Sequence, residues 1–186
     1  MRKKMLNSSL MNRILLFFLI FVSPTFTHSI NSTEEETIVE EFILCRYCGS
    51  DVTISNFFLN KISPYALSAS NQTFYNHQKI LVQTLENSLG VQFKVVIVRK
   101  AHCAAINIRW SDHFSWFPGY KWRICLCSNS KCTRHLGWMF EPADSPEINS
   151  LHAPSDQGFY ALIVGDILTE SHVNSLLMTE KHHTEF

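Results

Sequence analysis

Apolar positions along this chain come in short runs bounded by polar and turn-forming residues, and few of the runs repeat with a helical period. Phe42-Ile43-Leu44 is apolar and leads into Cys45, and Gly49 to Ile54 reads as a turn followed by a strand. Lys79-Ile80-Leu81-Val82 and Phe93 to Val98 are rich in β-branched residues, as strands are. Ala105-Ile106-Asn107-Ile108-Arg109-Trp110 alternates apolar and polar, the pattern of a half-buried strand. Lys121 to Ile124 and Leu136 to Phe140 read the same way, with Pro118-Gly119 as a turn between aromatic runs. Glu141 to Gln157 contains Pro142, Pro146 and Pro154 and reads as a surface loop. Phe159 to Ile167 predicts one further strand, and His172 to His182 a short terminal helix.

The N-terminus has a different texture. Arg2, Lys3 and Lys4 precede the apolar run Ile14 to Val22, which is too short to span a bilayer comfortably. This is the layout of a signal peptide over residues 1–29, with an uncleaved signal anchor as the alternative. A linker over 30–41 follows, with a glycosylation sequon at Asn31 and the charge run Glu34 to Glu36. Secretion, or the lumen of the secretory pathway, is therefore expected, with no stable membrane association after cleavage.

Composition narrows the partners. Lys+Arg and Asp+Glu both number 16, and no basic stripe stands out, so a phosphate-driven nucleic-acid binder is not expected. No phosphate-cradling glycine loop and no nucleophile–base pair can be assembled from the spacing. Six cysteines remain: Cys45, Cys48, Cys103, Cys125, Cys127 and Cys132. Cys45-Arg-Tyr-Cys48 is followed by Gly49, as a tight turn back from a metal requires, and Cys127 pairs in sequence with Cys132. Two such pairs supply four thiolates to one tetrahedral zinc. Disulfides are the competing reading in a secreted chain, with 15 connectivities open to six cysteines. A redox role for Cys45 and Cys48 needs a strand leading into a helix, whereas the residues after Cys48 read as turn and strand.

The aromatic residues are the most unusual feature. Trp116 and Trp122 flank the Pro118-Gly119 turn in Ser115-Trp116-Phe117-Pro118-Gly119-Tyr120-Lys121-Trp122, and Trp138 follows in His135-Leu136-Gly137-Trp138-Met139-Phe140. Three indoles around a void suit a flat or cationic group. Taken with the cysteines, these runs resemble the CULT domain family, the cereblon-type thalidomide-binding domain. Cys45-x-x-Cys48-Gly49 fits the start of that domain, Asn71 and Tyr75 to Gln78 its middle, and Phe159 to Leu162 its closing strand. The match covers residues 42–168 and leaves 169–186 as a tail or short helix.

The resemblance implies a mainly β fold, a β-tent of two antiparallel sheets pinned by a structural zinc. It implies Cys45, Cys48, Cys127 and Cys132 as the zinc ligands. It also implies a ligand site made of Trp116, Trp122 and Trp138 with Phe140 behind, backbone groups around Phe114 and Ser115, and Asn71 at the rim. The ligands it implies are cyclic imides such as glutarimides, or uridine-like pyrimidines. The chain departs from the family in three ways. The second cysteine pair has four intervening residues where the family has two, a spacing that zinc still accepts. Phe114 replaces a histidine, losing a side-chain hydrogen bond worth about 1 kcal/mol. The family's protease-like and adaptor-binding domains have no room here, so no ubiquitin-ligase adaptor is expected as a partner. Asn71 also opens a sequon, which conflicts with a place on a ligand rim.

Two functions from different classes follow. One is a non-catalytic module binding a cyclic imide, a lactam or a pyrimidine. The other is a zinc-stabilised redox enzyme of the methionine sulfoxide reductase B type, in which Cys103 or Cys125 is the reactive thiol. Trp110 and Tyr120 are expected in the core, and His135 beside the second cysteine pair.

Overall fold

A computed structural model describes residues 40–75, 77–105, 109–146 and 148–184. The signal peptide, the Asn31 sequon, most of the linker and residues 106–108 of the alternating run lie outside the described residues. Among those described, the strands in chain order are β1 Phe42–Cys45, β2 Asp51–Ile54, β3 Phe58–Leu59, β4 Ser68–Phe74, β5 His77–Glu86 and β6 Gln92–Val98. They continue with β7 Cys103–Ala105, β8 Tyr120–Cys127, β9 His135–Pro142, β10 Phe159–Ile163 and β11 Ile167–Thr169, and the helix α1 Glu170–Thr184 closes the chain. Antiparallel pairing gathers them into a small sheet, β11-β1-β2, and a large one, β4-β5-β6-β10-β9-β8-β7, with β3 also on β6. The mainly β, two-sheet expectation holds.

The apolar runs explain this order. Phe159 to Leu162 in β10 is buried residue after residue, because β10 lies between β6 and β9 and both its faces are covered. Side-chain alternation then divides the core in two. Tyr160 and Leu162 join Val96, Val98 and Met139 on the face that packs against Ile43, Val52 and Ile167 of the small sheet. Phe159 and Ala161 join Val95, Ile97, Trp138 and Phe140 on the other face, under Trp116 and Phe117. The small sheet and the aromatic cluster therefore occupy opposite faces of one sheet.

Three local features differ from the pattern-based expectations. The single strand expected over Phe159 to Ile167 is two strands, broken by a short 3-10 turn at Val164–Asp166. The turn carries the chain from the large sheet to the small one, and Arg46 fixes it through its N–H to Asp166 O (3.0 Å) and its Nε to Gly165 O (2.8 Å). Strand β4 is unexpected because Ser68 to Thr73 is polar and exposed; an edge strand open to water carries no apolar alternation to detect.

The third feature is a β-bulge in β9. Cys125 faces Gly137 while Leu126 faces His135, leaving Leu136 without an opposite residue. The bulge resets the alternation. Leu136 turns into the small-sheet core, and His135 and Trp138 come to share the aromatic face. Gly137 makes this possible: at φ +150° it sits where an added Cβ would lie 1.9 Å from Ala161 O of β10.

Candidate metal centre and aromatic cavity

The four cysteines come together from the two sheets. Cys45 ends β1, and the turn after it closes through Gly49 N–H to Cys45 O (2.9 Å), with Gly49 at φ +71°. Cys127 ends β8. The longer gap to Cys132 is taken up by Asn129, whose carbonyl accepts from the N–H groups of Cys132 (2.9 Å) and Thr133 (3.0 Å). The Asn129 side chain also donates to Ser50 Oγ at 3.2 Å, tying the two cysteine turns together. Arg134 lies over the Tyr47 ring at 4.1 Å and reaches Asp166 at 3.5 Å, bracing the first turn from outside.

All four sulfurs lie within 4.8 Å of one another. A tetrahedron with metal–sulfur bonds of about 2.3 Å has edges of about 3.8 Å. The observed separations are 3.9 Å for Cys45 and Cys132 and 3.5 Å for Cys48 and Cys127, so the residues fit a thiophilic metal ion. Four thiolates complete a tetrahedron and leave no position for a substrate or a reactive water. The free thiols are unequal. Hydrogen bonding to Ser50 lowers exposed Cys48 to about 6, and burial pushes Cys127 up to about 12. Metal binding must therefore displace the Cys127 proton.

Cys103 and Cys125 form a disulfide between β7 and β8. Cys125 points to the small-sheet face, and neither cysteine lines the aromatic cavity.

That cavity lies on the other face. Pro118 and Gly119 form a type II turn, with Gly119 at φ +83° and Tyr120 N–H donating to Phe117 O at 3.0 Å. The turn folds Trp116 back beside the β8–β9 hairpin, where the register sets Trp122 opposite Phe140 and Ile124 opposite Trp138. Trp116 and Trp138 meet edge to face with centroids 4.5 Å apart. Phe93 and His135 back Trp138 at 4.9 and 4.7 Å, and Phe140 stacks on Phe159. Trp116, Trp122, Trp138 and Phe140, with His113, Phe114 and the turn Asn87 to Leu89, enclose about 170 Å³.

The Trp116 and Trp122 indoles are held by their polar edges. Trp116 Nε1 donates to Glu86 O at 2.7 Å, and Trp122 Nε1 to His113 O at 2.8 Å. Ser63 Oγ donates to Trp116 O at 2.5 Å and its N–H to the buried side chain of Gln83 at 2.8 Å, which anchors the Trp116 loop to β5. The indole faces, not their N–H groups, are what the cavity offers. Phe114 sits at the mouth at φ +51°, 65% exposed. Among the described residues its N–H and C=O, and the N–H of Trp116, take no hydrogen bond.

Of the residues expected in a ligand site, the structure brings together Trp116, Trp122, Trp138, Phe140 and Phe114. Ser115 is in the same loop but turns its hydroxyl to Phe117 O at 3.1 Å, outside the lining. Asn71 is exposed on edge strand β4 opposite Leu81, six residues and about 20 Å of strand from Asn87. The asparagine at the cavity is Asn87, so the Asn71 sequon and the cavity do not compete. His135 follows Arg134, whose carbonyl accepts from Cys127 N–H at 2.7 Å, and lays its ring edge to face against Trp138. Burial lowers its pKa, and its Nε2–H donates to Gly137 O at 2.9 Å. Sequence reasoning missed Asn87, Ser88, Leu89 and Gln83; only the Asn-x-x-Gly turn signal marked the first of these. Trp110 and Tyr120 are packed in the two core clusters, as expected.

A small antiparallel β domain with a four-cysteine cluster that fits a metal ion on one face and an aromatic cavity on the other is the class this geometry defines. No family model matches the chain. It is 29% identical over 106 residues to the protein cereblon of Drosophila grimshawi and 30% over 113 residues to that of Drosophila virilis. Against cereblon of Drosophila melanogaster it is 30% identical over 103 residues. These matches take in 56, 59 and 55% of this chain but only 13, 15 and 15% of those proteins. They support a cereblon-like domain.

Proposed function

We propose that the chain is a secreted, non-catalytic binding module of the CULT type, in which a structural zinc staples the fold and the aromatic cavity takes a small cyclic imide, a lactam or a pyrimidine-like ring. The observation that carries this reading is the cavity itself. Three indole faces and Phe140 enclose about 170 Å³, and apolar cavities of roughly 150 Å³ take up a single six-membered ring such as benzene. Free backbone groups at Phe114 and Trp116 supply a donor–acceptor edge that matches an imide. Zinc is the metal suited to four thiolates in a tetrahedron, and it leaves the site closed to catalysis. A disulfide alongside reduced metal-binding thiols favours an oxidising compartment, as a leader peptide over 1–29 does. No ubiquitin-ligase adaptor enters the reading.

The reductase alternative is not favoured. Its nucleophile has to be a free thiol facing the cavity, and Cys103 and Cys125 are bonded to each other and turned away from it.

The test is a titration of glutarimide into the purified chain, followed by tryptophan fluorescence, with zinc measured on the same sample. Saturable quenching with about one zinc per chain is expected. Trp122→Ala is expected to remove binding while the melting transition stays cooperative. Undiminished affinity in that variant sinks the cavity as the site.

A further inference from the structure

A second cavity, of about 390 Å³, opens on the face of the large sheet that carries Tyr160. It runs along the seam between β2 and the segment that follows β6. Its apolar side is Phe42, Val52, Ile54 and Phe57. The opposite wall is fixed to β2 by Thr53 Oγ1 donating to Lys100 O (2.6 Å) and His102 N–H donating to Val52 O (2.7 Å), so the cavity is built into the sheet junction.

Tyr160 points to a ligand. Its ring is packed into the core, the residue as a whole being 94% buried, while its hydroxyl opens on the cavity and takes no hydrogen bond from the protein among the described residues. A ligand in the cavity would replace the water at this hydroxyl. Burial holds its pKa up at about 12, so the hydroxyl stays a donor at physiological pH. Tyr160 pairs with Val98, the last residue of β6, and Arg99, which follows it, lines the same cavity. The Arg99 and His102 side chains also have no partner among the described residues, while Lys100 is paired with Asp156 at 3.6 Å. Unpaired donors thus face one unpaired acid, Asp51.

We propose that this seam cavity binds a small apolar carboxylate, with its hydrocarbon body against Phe42, Ile54 and Phe57 and its carboxylate on the Tyr160 hydroxyl and Arg99. The site is separate from the tryptophan cavity and does not rest on the function proposed for it.

The test uses octanoate as the probe and octan-1-ol as the neutral control, titrated calorimetrically into the full chain. Octanoate is expected to bind saturably and octan-1-ol at least tenfold more weakly. Loss of a hydrogen bond to a charged group in Tyr160→Phe is expected to weaken octanoate about tenfold. Arg99→Gln, an exposed change that leaves the fold alone, is expected to do the same, and Trp122→Ala to leave octanoate affinity unchanged. Equal binding of the acid and the alcohol, wild-type affinity in both the Tyr160→Phe and Arg99→Gln variants, or no octanoate binding to the folded chain overturns the proposal.

Discussion

Replacing Gly137 by alanine tests the structural argument at its tightest point. The added Cβ would sit 1.9 Å from Ala161 O and 3.0 Å from both Ala161 C and Leu162 Cα. These are backbone atoms of β10, which is hydrogen-bonded on both edges and has no room to withdraw. Overpacking of this kind costs about 1–3 kcal/mol. The backbone at φ +150° adds a penalty for an L-residue of about 1–3 kcal/mol. A central value of about 4 kcal/mol is a large part of the stability of a domain this size. It corresponds to a fall in melting temperature of about 8–16 °C. Trp138 is the next residue, so relief by shifting β9 would also disturb the aromatic cavity. The assay is thermal unfolding by circular dichroism, with tryptophan emission recorded on the native state. Gly165→Ala is the control, because its added Cβ meets nothing within 4 Å and its backbone is unstrained, and a change within about 0.5 kcal/mol is expected there. A Gly137→Ala protein that melts within about 3 °C of wild type, with unchanged emission, would refute the close approach and the bulge that needs it.

Metal removal is the second perturbation. Structural zinc in such sites contributes about 10–16 kcal/mol, more than a small domain's whole stability, so a strong chelator is expected to abolish the cooperative melt, and native mass spectrometry should report loss of one ion; an unchanged melt after complete metal loss contradicts a structural role. A third concerns Glu41, whose carboxylate accepts from Ser171 N–H at 2.6 Å and pairs with His77. Burial raises its pKa, but the hydrogen bonds from Ser171 and the contact with His77 outweigh it, and the net shift is downward from 4.5. Its contribution is therefore present above pH 4.5 and lost as pH falls through the lower folded value. Urea unfolding is expected to show less loss of stability between pH 5 and pH 3 in Glu41→Gln than in wild type, and identical losses in the two proteins would remove Glu41 from that role.

Much of the architecture was legible in the chain because it depends on local pattern. Apolar or alternating runs of strand length marked β1, β6, β8, β9 and β10, and β10, buried on both faces, is continuously apolar. The two cysteine pairs marked the metal centre, because thiolate ligands arrive in turns at strand ends whatever the rest of the fold does. The Pro-Gly turn between two tryptophans marked the cavity, because a type II turn brings its flanks together.

Other features depend on what lies across the sheet. The β7–β8 register sets Cys103 opposite Cys127, yet Cys103 bonds diagonally to Cys125, two residues along β8, while Cys127 joins the four-cysteine cluster. Asn87 reaches the cavity because the β5–β6 turn ends beside Trp116, and Asn71 misses it because it lies far along the edge strand. His135 and Trp138 share a face only through the bulge at Leu136, a one-residue slip with no local sequence cost beyond Gly137. Spacing along one strand fixes which residues point the same way until a bulge intervenes, and register between strands decides which of them meet. The sequence alone determined the residue types and turns that build a metal centre and an aromatic cavity. Only the tertiary structure decided that they lie on opposite faces of one sheet, because that depends on side-chain alternation in β6, β9 and β10 acting together across strands far apart in the chain.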